Sequence, residues 1–235
     1  MQIEQQFQHQ GYAVLPQLLE TEQINELVGI CDRIKLQWFH NKYGQVYKPR
    51  KKNISFFGDA NYFQLNSIES QCLAKIATDN RVLTILQRIS KYKLLLNDIE
   101  YFFNPSGASW HGEWHRDGQA VADSDSIERS RIFNSDFIRV HIALMPENFL
   151  EIMAGSHNRW DKLEELVIRK GLCGRNPAEV MTEATKIHLE QGDAVFFSGY
   201  SIHRASYFAD VPRKMLALLY GSAVDWHMPP KNILV

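Results

Sequence analysis

Cysteine is scarce in this 235-residue chain, and its three members, Cys31, Cys72 and Cys173, are odd in number and far apart, with no CxxC or zinc-finger spacing. That argues against a disulfide framework and fits a reducing compartment, with all three read as small apolar residues. Long hydrophobic runs are also missing. None approaches the ~20 residues of a membrane-spanning helix, and Met1-Gln2-Ile3-Glu4-Gln5-Gln6 has neither the basic start nor the apolar centre of a signal peptide. A cytoplasmic protein with no membrane partner is expected. Nor does charge of one sign dominate: 26 Lys and Arg face 27 Asp and Glu, so there is no general attraction to nucleic acid or acidic lipid. Small-molecule partners remain, and the oligomeric state is left open. No repeat, low-complexity tract or Pro/Gly/Ser-rich linker divides the chain, so residues 1–235 are expected to form one domain.

What is present is enough apolar material for a substantial core, 45% of residues, arranged in two styles. Residues 1–92 read as mostly helical. After a short strand and turn over residues 7–19, Thr21 can cap a helix with Ile24, Leu27, Val28, Cys31 and Ile34 on one face. Asp79 can cap another over residues 81–90, carrying Val82, Ile85, Leu86 and Ile89. From residue 93 onward, segments 93–103, 138–145, 186–189, 194–197 and 215–220 read as strands, interrupted by a helix over 161–170 that Gly171 stops. Strands after a helical start predict an α+β protein with a mainly β core, a jelly roll or related cupin-like barrel over 93–235, with helices packed on one face.

Polar residues dominate 118–137, which predicts a loop; placed directly after the motif described next, it is expected to act as a mobile lid. The run Lys48-Pro49-Arg50-Lys51-Lys52 is read as a solvated loop.

The chemistry concentrates in Trp114-His115-Arg116-Asp117-Gly118. Extended backbone points His115 and Asp117 to the same side, so that both can hold one metal ion. With nine His and 27 acids, a His-x-acid triplet arises about once by chance, and two occur, the second being His188-Leu189-Glu190. Context separates them. Too little chain follows His188 to build a barrel around it, whereas His115 leaves room for the sheet to return with His203. Two imidazoles and one carboxylate leave three coordination positions open, as in non-haem Fe(II) oxygenases; a zinc hydrolase could use the same set, and a non-catalytic cupin-like binding module is a further alternative. Arg213, ten residues beyond His203, begins a strand that can face the barrel interior, where its planar fork would suit a carboxylate.

These segments resemble the phytanoyl-CoA dioxygenase-like branch of the Fe(II)- and 2-oxoglutarate-dependent oxygenases over nearly the full chain. Phe7 to Pro16 is similar to the family's F-x-x-x-G-[YF] opening, Trp114 to Asp117 to its WHxD segment, Ala154-Gly155-Ser156-His157 to its PGSH turn with Ala154 in place of proline, and Gly192 to His203 to its GDxxxF…H segment. The resemblance implies a double-stranded β-helix with Fe(II) on His115, Asp117 and His203. It implies O2 and the cosubstrate 2-oxoglutarate, with Arg213 on the far carboxylate and His141 and Ser206 as further cosubstrate candidates. Trp114, Arg116 and Arg139 are the candidate substrate contacts. Arg139, His141 and Ala143 share one face of their strand, read as the cavity face. Because Asp117 is kept, the expected reaction is hydroxylation of a small molecule with release of succinate and CO2, rather than halogenation. His157 is expected to be structural.

Overall fold

A computed structural model of the protein describes residues 3–43, 53–55, 67–104, 107–117, 119, 122 and 124–222. The basic run at 48–52 lies outside the described residues. The chain opens with helix α1 (Ile3–Gln10), so that Phe7 to Gln10, expected to be extended, are helical, and strand β1 (Tyr12–Leu15) follows. Between them Gly11 takes a left-handed φ of 78°. A Cβ there would lie 2.6 Å from Nδ1 of His157, so the small residue of the opening motif is required both by conformation and by space.

Helix α2 (Thr21–Tyr43) begins one residue differently from expectation. Thr21 is its first helical residue, and the capping role falls to Glu20, whose N–H donates to Oε1 of Gln23 at 3.0 Å. After the short strand β2 (Asn53–Ile54) come α3 (Ser67–Ala77) and α4 (Asn80–Ile89), the latter capped by Asp79 accepting from the Arg81 N–H at 2.8 Å. Strands β3 (Leu94–Phe102) and β4 (Trp110–His111) precede α5 (Asp125–Asn134). Then follow β5 (Phe137–Ala143), β6 (Leu150–Ile152), α6 (Leu163–Arg169), β7 (Thr185–Lys186), β8 (Ala194–Ser198), β9 (His203–Tyr207) and β10 (Met215–Ser222).

The strands form two antiparallel sheets, one ordered β1-β8-β5-β10-β3-β2 and the other β4-β9-β6-β7. The larger sheet is covered on both faces, which is why β10 is a continuous apolar run rather than an alternating one. Leu216, Leu218 and Tyr220 join Val140, Ile142 and Phe196 against Leu27, Ile34, Leu73 and Leu86 of the helices. The opposite face sends Ala143, Val195 and Phe197 against Leu150 and Ile152 of the smaller sheet, and Met215, Ala217 and Leu219 into a neighbouring cluster with Phe102 and Phe137. The result is a jelly roll with helices on one outer face.

Three expectations change. The polar stretch expected to be a loop contains α5, whose first turn is capped by Ser124 accepting from the Ile127 N–H at 3.3 Å and which buries Glu128 and Ile132. Cys173 is exposed, unlike buried Cys31 and Cys72, and sits at φ 53°. Regular pairing in the 186–189 segment stops at Lys186, with Leu189 reduced to an isolated bridge to Glu147 while His188 and Glu190 face solvent. Strand β9, which carries His203, has no counterpart among the expected strands.

Candidate metal centre and cavity

His115 and His203 are brought together by backbone, not by side-chain attraction. Each N–H donates to the other's carbonyl at 3.0 Å, a bridge that continues the pairing along β9 past the end of β4, and the two rings end 4.4 Å apart between centroids. Two residues on, the Asp117 N–H donates to the Gly199 carbonyl at 2.8 Å, which returns its carboxylate toward the same point. The three side chains offer ligand atoms all within 4.8 Å of one another.

The imidazoles are set for ligation. Nδ1 of His115 lies 2.8 Å from the Glu113 carbonyl and Nδ1 of His203 lies 2.9 Å from the Ser201 carbonyl. A carbonyl can only accept, so each Nδ1 carries the proton and each Nε2 lone pair is free. Those Nε2 atoms stand 3.9 and 3.8 Å from Oδ1 of Asp117. Burial, reinforced by His115 next door, pushes the His203 imidazole down to about 3, which keeps it neutral near pH 7. Burial alone would raise the Asp117 carboxyl, but Arg139 and the two imidazoles outweigh it and hold the group below the usual carboxylate range.

Arg139 on β5 is the neighbour that sequence reasoning assigned to substrate. Its guanidinium is instead taken by carboxylates: Nε and Nη2 reach Oδ2 and Oδ1 of Asp117 at 2.6 and 3.2 Å, and Nη1 reaches Glu100 at 3.0 Å. Glu100, on β3, was not singled out from sequence. Only its place in the buried second half of the strand, between Ile99 and Tyr101, marks it.

The His115–Asp117–His203 cluster borders a cavity of about 510 Å³ whose lining includes Asn53, Glu100, Trp110, His111, Glu113, Gln119, Arg139, His141, Tyr207 and Arg213. Arg213 is 3% exposed and sits two residues before β10 begins, held through Nε and Nη2 by Glu147 at 3.0 and 3.4 Å. Its Nη1 has no hydrogen-bond partner. Burial would lower its basicity, but Glu147 more than offsets this and keeps it charged. His141, 5% exposed beneath Phe102 and Phe197, has neither ring nitrogen satisfied, and burial beside Arg139 and Arg213 drives it well below the usual histidine range, so it is neutral.

The other candidates are elsewhere. Along β9 the side chains of His203, Ala205 and Tyr207 line the cavity, whereas Ser206 alternates away and bonds Nδ1 of His111 at 2.9 Å. Arg116 does not line the cavity at all. It points to the opposite side from its flanking ligands and is buried against Asp161, Ser156 and Tyr200, which corrects its assignment to substrate. Trp114 borders the cavity but is itself fully buried, its Nε1–H donating to the Glu179 carbonyl at 2.7 Å. His157 stands apart from the cluster, packed edge-on to Phe7.

Several solved structures share this architecture. HygX from Streptomyces hygroscopicus, with nickel and 2-oxoglutarate bound, superposes with a TM-score of 0.67 at 13% identity over 94% of this chain and 87% of its own. EctD from S. alaskensis, with 2-oxoglutarate and 5-hydroxyectoine, gives 0.66 at 14% identity over 97% and 77%. The non-haem α-ketoglutarate-dependent epimerase SnoN from nogalamycin biosynthesis gives 0.62 at 16% identity over 94% and 80%. At such identities the likeness is one of fold. No curated protein matches the chain by sequence. The family model for phytanoyl-CoA dioxygenase (PhyH), however, matches residues 7–208, a span that contains both imidazoles and the carboxylate. The chain belongs to the phytanoyl-CoA dioxygenase family, and with it to the non-haem iron, 2-oxoglutarate-dependent oxygenases.

Proposed function

We propose that the protein hydroxylates a small molecule, with His115, Asp117 and His203 as the iron ligands and Arg213 as the anchor for the far carboxylate of 2-oxoglutarate. The observation that carries this reading is the pairing, in one cavity, of a three-ligand cluster with buried polar atoms that lack partners: the Nη1 donor of Arg213 and the two ring nitrogens of His141, one a donor and one an acceptor in the neutral imidazole. A buried donor without a partner costs about 1–3 kcal/mol, so the cavity is built for a polar guest. A keto-diacid fits, with one end at the metal and the other at the guanidinium. Iron, once bound, supplies activation of dioxygen coupled to oxidative decarboxylation of the cosubstrate to succinate and CO2.

The residues of this chain do the rest. His115 and His203 present lone pairs fixed by backbone carbonyls. Glu147 holds Arg213 side-on so that Nη1 faces the cavity, and His141, kept neutral, can donate to the guest without adding charge. The large sheet's Phe102 and Phe197 exclude water from that end. Toward the mouth, Trp110, His111, Glu113 and Gln119 provide aromatic walls with polar edges, which suits a small polar or amphipathic substrate. The zinc-hydrolase alternative explains neither the orphaned polar atoms nor the family match.

The test is direct. Anaerobic protein mixed with Fe(II) and 2-oxoglutarate should develop the visible charge-transfer band of a chelated keto-acid, and His203→Ala should not. Substrate-dependent succinate release, screened over small metabolites, should vanish in the same variant. A His203→Ala protein with full activity defeats the assignment.

A further inference from the structure

Arg139 is an expensive residue to place beside a metal centre: a fully charged guanidinium, largely buried, whose cation opposes binding of another cation. Its geometry resolves the difficulty. Oδ1 of Asp117 faces the gap between the imidazoles, 3.8 and 3.9 Å from their Nε2 atoms, and accepts only a longer contact from Nη2 of Arg139 at 3.2 Å, while Oδ2 is the oxygen that Nε of Arg139 grips at 2.6 Å. We propose that Arg139 is a positioning residue that fixes Asp117 as a one-oxygen metal ligand, with Glu100 as the counter-charge that preserves the cluster's affinity for a dication. This rests on the metal reading given above.

Two physical consequences support it. A carboxylate free to rotate can chelate through both oxygens and consume a fourth coordination position. Gripping Oδ2 prevents that and keeps three positions open. Charge is the second consequence. Arg139 alone would cancel the negative charge of Asp117, leaving two neutral imidazoles to attract Fe(II). Glu100, 3.0 Å from Nη1, restores a net negative charge to the group. Glu100 is itself held from the edge strand β2 and the residue after it, accepting from Nδ2 of Asn53 at 3.3 Å and from Oγ of Ser55 at 3.0 Å. A lysine at 139 would keep the charge but could not span two oxygens and Glu100 with one planar fork.

The experiment uses Co(II) on chelator-stripped protein, reading its dissociation constant and its visible d–d absorption, whose intensity reports coordination number. Wild type should bind. Arg139→Lys, which keeps the charge, should bind about 10- to 100-fold more weakly with an altered spectrum, and Arg139→Gln, which also removes the opposing cation, should show the altered spectrum. Glu100→Gln should bind more weakly with the spectrum unchanged, because Arg139 still holds Oδ2. Folded Arg139 variants with wild-type affinity and spectrum overturn the positioning role, and wild-type affinity in Glu100→Gln, the nearly isosteric change and the safest to fold, overturns the counter-charge role. Wild type that binds no better than His203→Ala would reject the metal site itself, an outcome distinct from either.

Discussion

Gly199 offers the sharpest test of how the metal cluster is built, because it occupies no defined position of any motif and carries no chemistry. A Cβ added there would come within 2.6 Å of Oδ2 of Asp117 and would overlap the edge of the Phe137 ring. The glycine cannot retreat: its N–H donates to the Phe137 carbonyl at 2.7 Å and its carbonyl accepts from the Asp117 N–H at 2.8 Å. Ordinary contact begins near 3.4 Å, so in Gly199→Ala the Asp117 carboxylate must move by roughly 0.8 Å, away from the point where both imidazoles converge. Overpacking of this kind costs about 1–3 kcal/mol, and a shift near 1 Å at a reacting centre costs about 100-fold in rate. The expected outcome is a folded protein with a lowered melting temperature, metal affinity reduced by at least tenfold and little succinate formed. Calorimetry and Co(II) titration measure both. Wild-type metal affinity in Gly199→Ala would refute the placement of Asp117.

Arg213→Ala should abolish saturable 2-oxoglutarate binding and, by stranding the buried Glu147 carboxylate, cost about 3–5 kcal/mol. Adding Glu147→Leu to it should recover most of that stability in denaturant titrations without recovering the charge-transfer band, which separates the two roles. Asp161→Ala should destabilise by a comparable amount, because Arg116 and Arg169 both rely on it, at 2.6 Å each; Arg169 keeps its second partner Glu128, but Arg116 has no other carboxylate among the described residues. His157 gives a pH signature: burial pushes it to about 4, so the unfolded chain takes up a proton below about 6.5 that the folded chain refuses. Its contribution is complete above pH 6.5 and lost as pH falls toward 4, at most about 3 kcal/mol, and His157→Gln should flatten the fall in melting temperature across that window.

The elements most legible in sequence were those whose periodicity reports a single environment. Helix α4 shows its buried stripe and its Asp79 cap openly, and β3, β5, β8 and β10 announce themselves as short segments rich in aliphatic and aromatic residues. Strand β9 escaped because His203-Arg204-Ala205-Ser206-Tyr207 is polar on both faces: His203 and Tyr207 serve the cavity, while Arg204 is buried on the other side, its Nε on Glu151 and its guanidinium 4.5 Å from the Trp114 ring. Helix α5 escaped for a related reason. Its inward residue Glu128 is charged and is satisfied only by Arg169 and Lys170 from a distant part of the chain, which no local pattern reveals. The pair Glu147–Arg213 and the carboxylate Glu100 are long-range partnerships of the same type.

Arg116 shows how one triplet serves both sides of the fold. A backbone that sends the side chains of His115 and Asp117 toward His203 sends the residue between them away. There Arg116 meets Asp161, and through it Arg169, Glu128 and Lys170, with side chains of the first four at most 1% exposed. The carbonyls of Ser156 and Tyr200 fill the remaining positions on its guanidinium. The alternation that makes His-x-Asp a bidentate metal segment therefore also nails its centre to α5 and α6. Since rotation of the segment about its own axis would have to break that ion network, the orientation of the two ligands is set from behind, by charges that never touch the cavity. A hydrophobic residue at 116 of similar length would leave His115 and Asp117 held only by their backbone bonds to His203 and Gly199 and by Arg139, which is why the middle position of the motif carries information about the fold rather than about the substrate.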